Sequence, residues 1–180
     1  LLPVAAGGRV LVAGNPTYLT DAEQERAVAP RLGAAREQAP AAWVGTEGVE
    51  RIAMAAGGPQ YELLSRGTRR EVRALRAAGF EGKIALYAPV VLTDDEDALL
   101  DAVGGYASRR GPVRRAFPDD GATDATATGR AREVLTSAIP DFALVGTPET
   151  IGERVDDLKE AGVDTVVGYP ARGLDAVLDR

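Results

Sequence analysis

Apolar residues in this chain alternate between short continuous runs and stretches where they recur every three or four positions. Glycines and prolines separate the two kinds of stretch, the signature of strands alternating with helices. Arg9 to Gly14 is the first apolar run, bounded by Gly7-Gly8 and Asn15-Pro16, and reads as a buried strand. Thr20 or Asp21 opens a helix that Pro30 interrupts; its Ala-rich continuation runs to Gln38 and stops before Pro40. Ala41 to Gly45, with Trp43, reads as a short strand. Ile52 to Ala56 reads as another, followed by a Gly57-Gly58 turn and a helix from Pro59 through Gln60 to Ser65.

Arg69 to Ala78 carries Val72, Leu75 and Ala78 on one helical face, and Gly79 stops it. Lys83 to Thr93 is a long strand-like run in which Pro89 implies an edge or a bulge. Thr93 then caps a helix whose first turn is Asp94-Asp95-Glu96-Asp97, and which continues through Ala98–Val103. Those acids face the positive end of the helix dipole, which explains them without a metal. Gly111 to Gly129 reads as a loop, either a lid or plain surface. A short helix, Arg130–Ser137, follows, and Ile139-Pro140 leads into the tail.

The tail from Phe142 to Pro170 carries the clearest local signals. Thr147 is placed to cap a helix, Pro148 suits its first position, and Glu149 faces the dipole. Ile151, Val155 and Leu158 form an apolar stripe, Lys159 occupies the last turn, and Gly162 suits a left-handed C′ position. Val163 and Thr165-Val166-Val167-Gly168-Tyr169 then read as a strand buried on both faces, as parallel strands are. The pattern predicts one α/β domain over residues 1–180. Val10–Ala13, Ile52–Ala55, Ile84–Tyr87 and Thr165–Val167 are expected as parallel neighbours joined by right-handed crossovers.

Composition narrows the chemistry. The 180 residues include no Cys and no His. Thiol nucleophiles, disulfides, Ser-His-Asp triads and His- or Cys-ligated metals are therefore excluded. Chemistry would fall to carboxylates, Tyr, Lys, Arg, hydroxyls, backbone amides or a cofactor. A net charge of −6 argues against a nucleic-acid partner, and no apolar run approaches membrane-spanning length. A soluble, cytoplasmic protein is expected. The Gly57-Gly58-Pro59 turn, read between a strand and a helix start, is either a plain turn or an anion site of small residues and free amides.

The segments Phe142–Ile151 (Phe-Ala-Leu-Val-Gly-Thr-Pro-Glu-Thr-Ile) and Leu158–Val167 (Leu-Lys-Glu-Ala-Gly-Val-Asp-Thr-Val-Val) resemble the C-terminal signature of the luciferase-like monooxygenase family. Ala55-Ala56-Gly57-Gly58-Pro59 is similar to that family's glycine turn. The resemblance implies a (β/α)8 TIM barrel, here shortened or incomplete because such a barrel takes roughly 250 residues; an open parallel α/β sheet is the alternative. It implies FMN or coenzyme F420 as cofactor, a small organic substrate, and the coenzyme's phosphate end at Ala55, Ala56, Gly57, Gly58 and Pro59. No catalytic residue is fixed, although Tyr61 and Tyr87 are available as proton donors. The chain departs from the family after Ser65, running through Arg69–Ala78 to Gly79 without the family's Ala-Asp-Gly element. A non-catalytic, shortened-barrel remnant that forms a homodimer or pairs with another chain is therefore the alternative function.

Overall fold

A computed structural model describes residues 10–12, 34, 36–45 and 57–178. The start of the expected helix at Thr20 or Asp21, the strand Ile52–Ala55, and Ala13 lie outside them, while residues 34 and 36–38 of that helix's continuation are helical. Six strands form one sheet: β1 (Val10–Val12), β2 (Trp43–Gly45), β3 (Gln60–Leu63), β4 (Ile84–Val91), β5 (Leu144–Val145) and β6 (Thr165–Pro170). β1 pairs β2 in parallel, with Val10 opposite Trp43. β2 pairs β3 in parallel, with Val44 opposite Gln60. β4 pairs β5 in parallel, with Val90 opposite Leu144. The protein is thus an α/β protein built on a parallel sheet.

The described chain packs as two compact units. The first contains the chain up to Leu63, Gly67–Leu86 and Lys159–Val166. Its helix α1 (Thr68–Ala77) forms because Thr68, Val72 and Leu75 share one buried stripe, with Glu71 in the first turn and Arg76 in the last, each matching the dipole. Gly79, at φ 85°, ends it: its N–H reaches Arg76 O and the Phe80 N–H reaches Leu75 O, the Schellman pattern. Ile84, Ala85 and Leu86 begin β4 fully buried, and Val44, Ala161 and Val163 complete this core.

The second unit contains Leu64–Arg66, Tyr87–Leu158 and the chain from Val167. Here α2 (Glu96–Leu99), a π turn (Leu100–Gly104) and α3 (Gly105–Ser108) run on without a break, followed by α4 (Gly111–Ala116) and α5 (Gly129–Phe142). Leu100, Val103, Val113, Val134, Leu135, Ile139 and Phe142 form the core with Val91. Helix α6 (Pro148–Glu160) begins in this unit, and a last turn, α7, spans Asp175–Leu178.

The tail forms as its local signals require. Thr147 Oγ1 accepts the Thr150 N–H at 3.2 Å, and Pro148 opens α6. Leu158 is 2% exposed, while Ile151 and Val155 are half-buried. Gly162 lies at φ 112°.

Several expectations need correction. Gln60–Leu63 is a strand, not a helix: Gln60 N bonds Lys83 O and Leu64 N bonds Tyr87 O, so pairing with β4 overrides a weak helical preference. β6 is not buried on both faces, since Thr165, Gly168 and Tyr169 are exposed. Pro89 does not mark an edge strand, because β4 has β3, β5 and β6 as neighbours. The proline lies between Tyr87, whose carbonyl accepts the Leu64 N–H, and Val91, whose carbonyl accepts the Gly146 N–H. The helix after β4 is capped by Asp95, whose Oδ1 accepts the Ala98 N–H at 2.8 Å, and not by Thr93. Residues 111–116 of the expected loop are helical, because Pro112 suits a first turn and Val113 is buried. Helix α5 continues through Ile139 and Pro140 to Phe142, where the apolar stripe ends.

Candidate functional site

The Gly57-Gly58-Pro59 turn lies at the amino end of β3, in the first unit. Gly57 and Gly58 both take positive φ, 61° and 75°, which accounts for two consecutive glycines. Their carbonyls face cations and amides. Arg36 Nη1 donates to Gly57 O at 2.6 Å, and Gln60 Nε2 donates to Gly57 O and Gly58 O at 3.1 Å each. A Cβ on Gly58 would fall 1.5 Å from the Arg36 guanidinium. A strand follows the turn, so no helix dipole stands behind it. Ala55 and Ala56 lie outside the described residues; Pro59 O accepts the Val44 N–H at 2.8 Å. Gln60 is fully buried on β3 and its Oε1 has no partner among the described residues. Sequence reasoning missed Gln60 because a polar residue in a predicted helix signals surface.

Ligands of parallel sheets gather at the carboxyl ends of the strands. In the second unit a cleft of about 260 Å³ includes Arg66, just past the carboxyl end of β3. Pro112, Val113 and Ala116 of α4 line one wall. Helix α5 lines the other with two adjacent rows. Glu133, Ser137 and Asp141 step by four along a polar row that Arg130 begins. Val134, Ala138 and Phe142 step by four along an apolar row. Val113, Val134 and Phe142 are buried, and Ser137 is exposed. Arg130 lies 3.6 Å from Glu133, both well exposed, so the pair contributes little.

Three of the four acids after β4 are occupied within the protein. Asp95 caps α2, while Glu96 and Asp97 hold Arg132 at 2.5 and 2.6 Å and raise its pKa, the hydrogen bond that Arg132 donates to Asp97 most. Among the described residues no group of three His, Cys, Asp or Glu is placed to hold a metal. Tyr87 on β4 stands 6.3 Å from Tyr169 on β6, ring to ring. Burial, and then the neighbouring Tyr169 phenol, raise the Tyr87 pKa above its usual value. Tyr61 is half-buried on β3, in the first unit.

No helix among the described residues is long and apolar enough to cross a membrane. No curated protein matches the chain. The sequence profile that does match spans residues 2–177, nearly the whole chain, and the protein accordingly belongs to a family of unknown function, DUF7388.

Proposed function

We propose that this chain is a barrel-type α/β oxidoreductase domain of the luciferase-like kind, binding FMN or coenzyme F420 and acting on a small organic substrate. The observation that carries the reading is the winding of the sheet. Strands β1, β2, β3 and β4 neighbour one another in chain order. Along β4 the carbonyls of Lys83, Tyr87 and Val91 face β3 and β5, and those of Ile84 and Val90 face β6. Lateral order therefore continues from β4 to β6 in the direction set by β1 to β4, while the short β5 returns to the β3 side of β4. The sequential order of β1 to β4 suits a barrel or a barrel segment. The capped Gly-Thr-Pro-Glu helix leading to a strand beside β4 adds to the resemblance.

In a sheet of this kind the coenzyme ring would meet the loops after β3, β4, β5 and β6. The turn at Ala55–Pro59 is the phosphate position that the resemblance implies. Its place at the amino end of β3, with its carbonyls turned to Arg36 and Gln60, favours a structural role for the turn. The chain's own residues would position the ring and exclude water, and hydride chemistry would come from the coenzyme. Reconstitution with FMN and with F420, followed by gel filtration and visible absorbance, tests the reading. Co-elution of either coenzyme supports it, and loss of both on the column sinks it.

A second reading, a non-catalytic segment that pairs with another copy, draws on the exposure of β6. Tyr169 is 49% exposed there, and the strand carries no charged residue to guard it. Light scattering separates the readings: a dimer that Tyr169→Lys dissociates, with no coenzyme bound, favours the second.

A further inference from the structure

The cleft between α4 and α5 carries an arrangement that the fold alone does not require. Helix α5 bears no acid in its first turn and no base in its last. Instead Arg130 stands at its positive end and Asp141 at its negative end, each the disfavoured sign for that position. Asp141 is half-buried and forms no ion pair or hydrogen bond among the described residues. Both side chains line the same cleft, on the same row, with the apolar row of Val134 and Phe142 beside them. Charges that work against their own helix while facing one cleft are better explained by a ligand than by stability.

We propose that this cleft binds a short peptide with both termini free, its carboxylate at the Arg130 end and its ammonium at Asp141. Arg130 and Asp141 are separated by about 16 Å along the helix axis, at ~1.5 Å per residue. An extended chain covers roughly 3.3–3.6 Å per residue, so about five residues span the gap. Arg66 adds a second cation to the lining and suits a carboxylate. Ser137, midway along the row, can donate to or accept from the peptide backbone. Apolar side chains of the peptide would lie over Val134 and Phe142. This inference stands apart from the coenzyme reading and survives its failure.

The test titrates the intact protein with the pentapeptide Ala-Leu-Ala-Leu-Ala, its N-acetylated form and its C-amidated form, followed by NMR shifts at Val134, Ser137 and Phe142. The free peptide is expected to bind, with either modification weakening it roughly tenfold, as loss of one charge-assisted contact would. Asp141→Asn is expected to erase the penalty for acetylation while leaving that for amidation. Arg130→Gln is expected to do the reverse. Both residues are at the rim, and unchanged amide spectra of the free variants verify their folds. Absence of shifts at millimolar peptide, or penalties that persist unchanged in both variants, overturns the proposal.

Discussion

At the scale of single residues, Arg76 decides most in the first unit. Its Nε and Nη2 donate to Gly162 O at 3.1 and 2.7 Å, its Nη1 donates to Phe80 O and Gly82 O at 2.8 Å each, and its Nη2 pairs with Asp164 at 2.7 Å. All the N–H groups of the guanidinium are therefore used. Asp164 Oδ2 also accepts the Ile84 N–H at 2.8 Å, which joins the same group to the start of β4. A lysine has the charge without the planar fork, so Arg76→Lys should cost roughly 1–3 kcal/mol in urea denaturation. Tyr87 supplies a pH prediction. Its pKa is raised in the fold, so the folded protein holds that proton when the unfolded chain has released it. Stability from this source is complete below the ordinary tyrosine value near 10 and is lost as pH rises through the folded value. Tyr87→Phe should flatten this alkaline loss in melts recorded from neutral pH upward; an unchanged slope would assign the loss to other groups.

At the scale of elements, the tail was the most legible part because each of its signals is the chemistry of one residue. Thr147 caps, Pro148 starts and Gly162 stops α6 wherever the helix is placed. Thr147→Ala should cost roughly 0.5–2 kcal/mol, and Leu158→Ala roughly 2–5 kcal/mol because its side chain is buried. Thermal melts read both, and a neutral Leu158→Ala would contradict its burial. Helix α5 gives the opposite sign: Asp141→Asn should stabilise by about 0.3–1 kcal/mol, because it removes a carboxylate from the negative end of the dipole. β3 was illegible for a physical reason. Its inward positions are Gln60 and Glu62, so its burial alternates as in a half-buried strand while its polarity is inverted. The exposure of β6 was hidden for another reason: Thr-Val-Val-Gly-Tyr looks the same whether or not another layer covers it. The two rows of α5 were divided in the sequence at Ser137, because Pro140 was read as a stop although it falls in the last turn of the helix.

At the scale of the whole molecule, the sequential winding of the sheet was legible only in part. The runs that became β1, β4 and β6 were visible, but neighbour order depends on hydrogen bonds between residues distant in the chain, such as Gln60 with Lys83 and Ala171 with Val90. The division into two compact units was not foreseen, and it raises the question of cooperativity. Strand β4 has Ile84–Leu86 in one unit and Tyr87–Val91 in the other, and β6 and α6 are likewise divided. Melting either unit would truncate these shared elements and remove the bonds that continue them into the other. The two units should therefore unfold in one transition. Two built-in probes can test this. Trp43, the protein's single tryptophan, belongs to the first unit and reports it by fluorescence. Helices α2 to α5 and most of α6 belong to the second, so among the described residues the helical signal in far-ultraviolet circular dichroism comes mainly from that unit. Urea curves from the two probes should share one midpoint and one slope. Two separated midpoints would show that the shared elements do not couple the units, and the stability effects forecast for Arg76 would then appear in the fluorescence curve alone.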